Sequence, residues 1–581
     1  MKILLAAVNA KYIHSNLAVY SLRAYAGKYG QETDIAEYTV NQPVDEILMD
    51  LYGHAPDVLC FSCYLWNITY VKQLVRELPK ILPETKIWLG GPEVSYSARR
   101  MLEQNPGVSG VMCGEGEETF REIAEYYHNR LLQGKEKSDG GPSLAAIRGI
   151  VYRDAEGTIV ETGMRPVLDL SSIPFVYSRI EDFRNRIIYY ESSRGCPFSC
   201  SYCLSSVDKC LRFRDLELVK KELQFFIDHE VPQVKFVDRT FNCRHDHALE
   251  VWRYIRDHDR GITNFHFEIA ADLLNEEEIR LIRSMRPGLI QLEIGVQSAN
   301  GQTIQAINRK MDLEKVERTV KAVREKRNVH QHLDLIAGLP YEDFESFARS
   351  FNRVYAMKPD QLQLGFLKVL KGSPMHEKAG EYGLVCQERP PYEVLSTRWM
   401  SYRDIVRLKK IEETVEVYYN SGQFQNTMRH LEKEFSAPFE MYSAIADYYE
   451  ENGLFKISHS RIARYEILSR FLGDKAALYR EWLTLDLYLR DNVKNRPDFL
   501  GAESVSSDEA AAFYRNEEKE RNYLSGYEEC DRRQMRKMTH LERVGEKLLL
   551  FDYRKRDPLT GNASVLEITE IPEKNDEKRR Q

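Results

Sequence analysis

The amino-acid sequence predicts an α/β protein in which a doubly wound parallel sheet precedes a partial (β/α)6 barrel and a mainly α-helical carboxy-terminal domain. Two observations support this fold class. Short apolar runs alternate with amphipathic stretches in two separate series, which is typical of parallel strands covered by helices. Beyond about residue 396 the sequence changes to long, charged, Tyr-rich helical stretches. The predicted domains are 1–130, 186–395 and 396–575, with a linker and small hairpin at 131–185.

The composition is that of a globular protein in a reducing compartment. Of its residues 43% are hydrophobic and 29% are charged, and no apolar run approaches the ~18 residues that a membrane span requires. The amino terminus lacks the basic region and cleavage site of a signal peptide, so we expect a cytoplasmic protein whose ten cysteines are thiols or metal ligands. A net charge of −7 argues against a nucleic-acid partner, which normally binds a basic face.

Five apolar runs in residues 2–128 predict the strands of the first sheet. They are KILLAAVNA, ETDIAEYTV, DVLCFSCY, KIWLGG and SGVMCGEG. Their nearly continuous apolar character indicates a sheet that is buried on both faces. Ligands of such sheets bind at the carboxyl ends of the strands, where two glycine clusters lie, at 90–91 and 114–116. A charged, Gly-rich stretch and a hairpin around 154–157 then predict a linker.

Six further apolar runs predict the strands of the barrel. They are IIYYESS, VKFVD, NFHFEIA, LIQLEIGVQS, HLDLIAGL and QLQLGFLKVL, and helical stretches separate them. In parallel barrels the residues that carry chemistry lie on the loops after the strands, at the carboxyl face. A cluster of cysteines follows the first of these runs directly. We therefore expect that cluster at the mouth of the barrel.

The most informative stretch is the loop that contains Cys196, Cys200 and Cys203. Thiolates are the usual ligands of iron-sulfur clusters. Three thiolates bind three irons of a cubane cluster and leave the fourth iron open for chemistry. The alternative is a zinc site that takes Cys210 as a fourth ligand, although zinc sites commonly pair two separated Cys-x-x-Cys knuckles.

The spacing Cys-x3-Cys-x2-Cys, with Tyr202 before the last cysteine, resembles the signature of radical S-adenosylmethionine (SAM) enzymes. This resemblance implies a 4Fe-4S cluster whose open iron binds SAM, and a reducing electron donor such as flavodoxin or ferredoxin. It also implies that the reduced cluster splits SAM to a 5'-deoxyadenosyl radical, which abstracts hydrogen from a substrate. The positions that match the family's SAM-binding segments are Asp238, Glu293, Gln297, Ser298 and Gly338. A salt-bridged barrel carboxylate is the alternative role for Glu293.

The glycine clusters of the first sheet resemble the cobalamin-binding domain that precedes the barrel in one large class of radical SAM proteins. Gly-Gly-Pro-Glu at 90–93 and Gly-Glu-Gly-Glu at 114–117 carry this resemblance. The implied cobalamin-binding residues are Asn9, Ser62, Gly90, Gly91, Glu93, Gly114, Glu115 and Gly116. The sequence lacks the Asp-x-His-x-x-Gly motif whose histidine binds cobalt from below in other cobalamin proteins. We expect His14 to precede the start of a helix rather than to bind cobalt.

Two other groups of residues have simpler interpretations. Cys60 and Cys63 resemble a redox pair, but positions three apart on a strand point to opposite faces, so two buried thiols are expected. His245 and His247 are predicted to lie at a solvated helix start, because their spacing puts the two rings on different sides of the helix.

The resemblances together imply a cobalamin-dependent radical SAM enzyme, and specifically a C-methyltransferase that acts on a small molecule. One alternative uses both cofactors for ring closure or rearrangement without methyl transfer. A second is a degenerate cobalamin or redox sensor. A transfer-RNA methylthiolation enzyme fits less well, because the amino-terminal domain has no second cysteine trio. The region after 396 resembles an uncharacterised extension, either a substrate-binding cover or a helical scaffold.

Overall fold

The computed structural model describes residues 1–132, 143–207, 209–502 and 504–569. The Gly-rich part of the predicted linker and the polar carboxy-terminal tail lie outside these residues. The described residues form two compact units. The first comprises 1–329, 336–344 and 365–402, and the second comprises 330–335, 345–364 and the residues from 403 onward.

The first unit begins with a seven-stranded sheet. Its elements are β1 Ile3–Asn9, α1 Leu17–Tyr25, β2 Thr33–Thr39, α2 Val44–His54, β3 Val58–Ser62, α3 Ile68–Ile81, β4 Lys86–Gly90, α4 Pro92–Ser95, α5 Ala98–Gln104, β5 Val108–Met112, α6 Glu117–Leu132, β6 Ile150–Arg153 and β7 Ile159–Glu161. The strand order is β2-β1-β3-β4-β5-β6-β7, and the first five strands are parallel. The predicted hairpin forms β6 and β7, which extend the sheet in antiparallel fashion.

Both faces of this sheet are buried, as the apolar runs predict. Every residue of β1 is buried, and its alternate residues enter two separate apolar cores. Cys60 and Cys63 lie in these opposite cores, so the prediction of two buried thiols is confirmed. Because β1 pairs with β2 on one side and β3 on the other, the chain reverses its direction of winding between β1 and β3. Such a switch point opens a ligand crevice at the carboxyl ends of the strands.

Helices α4 and α5 form although no periodic apolar pattern predicts them. The first is a single turn that begins at Pro92, where the missing N–H of proline costs nothing. The second buries Ala98, Met101 and Leu102 and exposes its two arginines. Both helices are too short to show a convincing helical repeat in the sequence.

The predicted six strand-helix units of the barrel are confirmed. Their elements are β8 Ile188–Tyr190, β9 Ser193–Arg194, β10 Arg212–Phe213, α7 Leu216–Asp228, β11 Gln233–Phe236, α8 His245–His258, β12 Asn264–Ile269, α9 Glu276–Arg283, β13 Ile290–Gln297, α10 Gly301–Ala306, α11 Leu313–Arg324, β14 His330–Ala337, α12 Phe344–Tyr355 and β15 Gln361–Phe366. The sheet order is β8-β11-β12-β13-β14-β15, the order of the chain. Strands β9 and β10 form a separate antiparallel ribbon that closes the cysteine loop. The segment after β15 contains α13 Pro374–Glu377, β16 Val385–Cys386 and β17 Val394–Ser396.

The remaining elements are mainly helical, as predicted. They are α14 Tyr402–Val415, α15 Gln425–Leu431, α16 Pro438–Glu451, α17 Arg461–Leu472, α18 Ala476–Arg490, α19 Ser507–Glu520, α20 Arg532–Met538, β18 Thr539–Val544, β19 Lys547–Arg556 and β20 Ala563–Ile568. The three strands form an antiparallel sheet, in which the predicted KLLLFDYRK and SVLEITEI runs provide β19 and β20. The sequence does not predict β18, because charged residues interrupt its apolar pattern. One of them, Glu542, is buried in an ion pair with Arg496 at 3.1 Å. Among the residues described, no helix has both the length and the apolar character to cross a bilayer.

Gly91 allows the loop after β4 to pass close to the loop after β3. Its φ of +110° is unfavourable for other residues, and a Cβ atom there would lie 2.5 Å from the carbonyl oxygen of Cys63. We predict that Gly91→Ala destabilises the protein by at least about 2 kcal/mol, measured as a lower thermal midpoint. The matched control is Gly53→Ala in α2, where no atom lies within 4 Å. That change is expected to leave the midpoint unchanged or to raise it.

Candidate functional site

A cavity of about 580 Å³ lies in the first unit between the switch point of the first sheet and the mouth of the barrel. Side chains from both sides line it. From the loops after β1 and β3 come Asn9, His14, Asn16, Tyr64 and Trp66, and from the barrel come Tyr189, Glu191, Ser193, Arg194, Gly195, Val237 and Arg239. The two edges that the sequence assigns to ligands therefore face one space.

The cysteine loop begins beside this cavity. Gly195 lines it, and its φ of +92° turns the chain from β9 into the loop. Cys196 and Cys200 are buried, and Cys203 is partly buried. The loop is held from within, because the hydroxyl of Ser206 donates to the carbonyl oxygens of Cys200 and Cys203 at 2.9 and 2.6 Å.

The loop supplies three thiols, two of which are buried. The fourth ligand of the alternative zinc site would be Cys210, which is exposed and whose backbone packs against Gly195. Three thiols in one loop fit a cubane cluster, in which each thiolate binds a different iron.

A buried arginine lies against the cysteine loop. The guanidinium of Arg309, in the segment between α10 and α11, is 3.8 Å from the Sγ of Cys200 and 3.3 Å from the hydroxyl of Tyr202. The Nε of Arg309 is buried and has no hydrogen-bond partner. Burial raises the pKa of the Cys200 thiol, and the charge of Arg309 opposes this rise. Arg309 thus favours the thiolate that a metal cluster requires.

Asp238 follows β11, contacts the serines that precede the cysteine loop and is fully buried. Its carboxylate accepts hydrogen bonds from the hydroxyl groups of Ser192 and Ser193 at 2.7 and 2.5 Å, and from the backbone N–H of Ser192 at 2.8 Å. Burial raises the pKa of Asp238 to about 7, although these hydrogen bonds oppose the rise. The predicted SAM contact at Asp238 therefore coincides with a carboxyl group that already supports Ser192 and Ser193.

His247 belongs to the same network, and the prediction of a solvated helix start is wrong for this residue. Its side chain is buried, and its Nε2 lies 3.0 Å from the hydroxyl of Ser192. Burial lowers the pKa of His247 to about 4, so the ring is neutral. His245 is half exposed, as predicted. The sequence pattern misses His247 because the loop that covers it comes from a distant strand.

The other predicted SAM positions lie at the ends of later barrel strands. Gln297 has a φ of +74°, and its buried Oε1 has no hydrogen-bond partner, so an acceptor is available for a ligand. The hydroxyl of Ser298 donates to Glu342 at 2.6 Å. Gly338 adopts a φ of +83° after β14. Glu293 is the salt-bridged carboxylate of the alternative interpretation, with Lys235 at 3.2 Å and His266 at 2.9 Å.

Several of the predicted cobalamin positions lie at the carboxyl edge of the first sheet, some as polar side chains and some as glycines. Asn9 and Ser62 lie at the ends of β1 and β3, and Asn16 joins this edge through a 3.2 Å hydrogen bond to the hydroxyl of Ser62. Asn9 lines the cavity but donates its amide to Glu37 at 2.8 Å. Gly114, with a φ of +78°, and Gly90 lie at the turns after β5 and β4. The glycine loops thus lie at the edge where the resemblance assigns them.

Three groups of carboxylates at this edge are occupied by side chains from the barrel and the segment after it. Glu37 pairs with Arg186, and Glu93 accepts a hydrogen bond from Tyr392 and lies 3.9 Å from Lys371. The third group is Glu115 and Glu117, which both pair with Arg194. Gly116 lies between these two, and a Cβ atom at this position would lie 3.0 Å from the side chain of Leu22. Glu93 and Glu115 therefore join the two halves of the first unit.

His14 lies at the cavity as part of the loop after β1. Its Nδ1 is 2.6 Å from the hydroxyl of Tyr189, and burial together with Lys11 and Lys235 lowers its pKa. The helix N-cap is Asn16, two residues later, so the prediction that His14 precedes a helix start is confirmed.

Several residues of the site were not predicted from the sequence. Trp66 and Tyr64 stack with ring centroids 4.5 Å apart, and about half of Trp66 is exposed at the cavity. Arg309 contacts Cys200 in the cysteine loop, and Arg194, just before the loop, binds Glu191. For Arg194, the sequence offers one indication of a role at the site, namely its position directly before Gly195 and the cysteine loop. Nothing in the linear sequence connects Arg309 with a cysteine more than a hundred residues earlier.

A doubly wound sheet with glycine loops at its ligand edge, joined to a partial barrel that opens with a three-cysteine loop, defines a two-domain cofactor-binding protein. Comparison with known families agrees with this class. Residues 3–124 match the B12 binding domain, residues 190–354 match the radical SAM superfamily, and residues 380–561 match a protein family of unknown function, DUF4080. Three successive regions of the chain are thus similar to a B12 binding domain, a radical SAM domain and DUF4080.

Curated relatives match part of the chain. The chain is 26% identical to 2-(S-pantetheinyl)-carbapenam-3-carboxylate methyltransferase of Streptantibioticus cattleyicolor over 57% of its length and 50% of the relative. It is 20% identical to the anaerobic magnesium-protoporphyrin IX monomethyl ester cyclase of Rubrivivax gelatinosus over 61% of its length and 64% of the relative. The chain therefore spans about half to two thirds of these relatives.

Two solved structures share the fold. The cobalamin-dependent SAM radical enzyme OxsB has a TM-score of 0.56 and 15% identity over 86% of this chain and 82% of the other. The radical SAM methyltransferase TsrM from Kitasatospora setae, whose structure holds cobalamin and a 4Fe-4S cluster, has a TM-score of 0.52 and 17% identity over 68% and 82%. The predicted α/β fold class is confirmed.

Arg309 is expected to raise the reduction potential of a cluster bound to Cys200, because a nearby positive charge and an N–H donor stabilise the reduced, more negative form. We predict that Arg309→Gln lowers the midpoint potential by on the order of tens of millivolts, and that Arg309→Lys lowers it less. A redox titration followed by electron paramagnetic resonance measures this shift. Arg283→Gln, which removes a surface ion pair on α9, is the control and should leave the potential unchanged. An unchanged potential in Arg309→Gln would contradict the prediction that Arg309 raises the reduction potential of the cluster.

Proposed function

We propose that the chain is a cobalamin-dependent radical SAM enzyme, and specifically a methyltransferase that acts on a carbon atom of a small molecule. The observation that carries this proposal is the single cavity shared by the switch point of the first sheet and the mouth of the cysteine-bearing barrel. A reaction that uses two cofactors requires both to reach one substrate. The two family matches and the methyltransferase relatives support the same conclusion.

The residues present fit the groups that this function requires. Three cysteines in one loop suit a 4Fe-4S cluster with one open iron. The Oε1 of Gln297 is a buried acceptor and the Nε of Arg309 is a buried donor, and these two atoms have no hydrogen-bond partner. Such atoms are expected where SAM binds. The partly exposed Trp66 offers a flat apolar surface at the edge where the glycine loops would admit a corrin. When bound, the cluster and SAM supply a carbon-centred radical that removes hydrogen from the substrate, and cobalamin supplies the methyl group.

The protein's own part is binding and orientation. Cys196, Cys200 and Cys203 hold the cluster, and Asp238 holds the preceding serines in place. The cavity walls position the substrate and limit the access of water. A substrate that fits about 580 Å³ is a small molecule. We further propose a cytoplasmic location and a low-potential electron donor such as flavodoxin or ferredoxin.

A second candidate keeps both cofactors but uses the radical for ring closure without methyl transfer. The magnesium-protoporphyrin cyclase relatives favour it, since they match a similar share of the chain. The sensor alternative has weaker support, because all three cysteines and the unpartnered Gln297 oxygen are present at the mouth of the barrel.

Replacement of the cysteines tests the cluster. We predict that the anaerobically reconstituted chain binds about four irons and, after reduction, cleaves SAM to 5'-deoxyadenosine, and that Cys196→Ala, Cys200→Ala or Cys203→Ala abolishes cleavage. Cobalamin binding, followed by corrin absorbance, should survive these changes. Cys210→Ala is the matched control and is expected to keep full cleavage, because Cys210 is exposed. Loss of metal in the Cys210 variant would support the zinc alternative.

The fate of the methyl group separates methyl transfer from ring closure. We expect SAM with a deuterated methyl group to yield labelled product in an extract that contains the substrate. The measurement is mass spectrometry of small molecules in reactions with and without cobalamin. Label found in methionine alone, with substrate consumed, would exclude methyl transfer and favour the cyclase candidate.

A further inference from the structure

We propose that Glu115 is a positioning residue that holds the base of the cysteine loop from the B12 binding domain, so that the glycine loop at 114–117 and the cluster are energetically coupled. The inference rests on the proposed function in one respect, namely that the cysteine loop holds a cluster. It goes beyond that function because the glycine loop, which resembles a cobalamin-binding segment, would also stabilise the loop that holds the iron-sulfur cluster.

The ribbon that closes the cysteine loop carries two opposed positive charges. Arg194 in β9 and Arg212 in β10 are directly opposite each other in this two-stranded antiparallel ribbon. Like charges at directly opposed positions destabilise a strand pair. The ribbon is only two residues long on each side, so its backbone pairing can offset little of this repulsion. Negative charge close to both arginines therefore stabilises the ribbon.

Glu115 supplies that charge to both arginines through one oxygen. Its Oε1 lies 3.1 Å from the guanidinium of Arg194 and 2.8 Å from that of Arg212. Its other oxygen, Oε2, accepts a hydrogen bond from the backbone N–H of Leu168 at 2.8 Å. The carboxylate is thus fixed between the glycine loop and the ribbon.

Two neighbouring carboxylates complete the cluster but touch only one of the arginines in these contacts. Glu117 lies 2.8 Å from Arg194, and Glu191 binds Arg194 through two nitrogens at 2.7 and 2.9 Å. Glu115 is the member that contacts Arg212. The side chains of all these residues are less than a quarter exposed, so solvent screens the charges only in part.

The consequence for the cluster follows from chain connectivity. Arg194 is followed directly by Gly195 and Cys196, and Cys210 and Leu211 lead into Arg212. A ribbon that opens at Arg194 and Arg212 would loosen both ends of the loop that holds the cluster. If cobalamin binding moved the glycine loop, the carboxylate of Glu115 would transmit that movement to the ribbon and so to the cysteine loop.

The test compares Glu115→Gln with wild type in the full-length, reconstituted chain. We expect release of iron to a chelator to be about fivefold to tenfold faster in Glu115→Gln, because the arginine pair loses its shared counter-charge. The decisive variant is Glu115→Gln with Arg212→Gln, which removes the repulsion as well. It should release iron more slowly than Glu115→Gln alone, an outcome that a general loss of stability would not give.

The matched control is Glu125→Gln on α6, whose carboxylate pairs with Arg121 at 3.0 Å away from the ribbon. It should release iron within twofold of wild type. A wild-type release rate in Glu115→Gln, or a faster rate in the double variant than in Glu115→Gln, would overturn the proposal. If Glu115→Gln does not fold, Arg212→Gln alone carries the test, and release faster than twofold over wild type would count against the proposal.

A second measurement does not depend on the cluster. Hydrogen exchange of the metal-free chain should show faster exchange at 193–195 and 212–213 in Glu115→Gln, with β1 unchanged. Unchanged exchange at these positions would overturn the proposal. If wild type binds no iron, the proposed function fails, and the exchange measurement still decides whether Glu115 holds the ribbon.

Discussion

The pairing of acidic groups at the carboxyl edge of the first sheet with basic and tyrosyl groups of the following chain is the interaction on which the site depends. Glu37 lies in the second half of β2, and Glu93 and Glu115 follow β4 and β5; each has a partner in the barrel or the segments beside it. Parallel sheets present loops, not flat faces, at this edge. Without fixed contacts between the loops, the cavity would have no defined shape.

These contacts also explain why residues with a family resemblance serve a structural purpose here. Glu93 and Glu115 belong to the segments that resemble a cobalamin-binding pattern, yet their carboxylates are occupied by groups from outside the sheet. The glycines beside them control how closely the backbone approaches its neighbours. The backbone therefore remains available to a cofactor, while the carboxylates fix the loops. A similar division holds at Asp238, which supports the serines before the cysteine loop.

The electrostatics of the barrel mouth suit a metal cluster with a labile iron. Arg309 lies beside Cys200, so its guanidinium group approaches a loop that would carry negatively charged sulfur. Cluster potentials respond to nearby charge and to hydrogen bonds with sulfur. The neutral His247 and the shielded Asp238 contribute little net charge below neutral pH. Arg309 is therefore a source of positive charge beside the thiols, whereas carboxylates balance the charge of Arg194.

The sequence by itself determined the fold class, the six barrel units and the cysteine loop, because each depends on local patterns: apolar periodicity, glycine at turns and the spacing of ligands along the chain. It also predicted which edge of the first sheet faces a ligand, since strand direction fixes that edge. Only the tertiary structure decided which side chains meet there. The pairs Glu115 with Arg212 and Arg309 with Cys200 join residues about a hundred positions apart, and no local pattern encodes them. The same limit explains the error at His247, whose burial depends on Ser192 from another strand. Periodicity, turns and ligand spacing are local properties of the sequence, whereas the partner of a charged side chain depends on which distant segments the fold brings together.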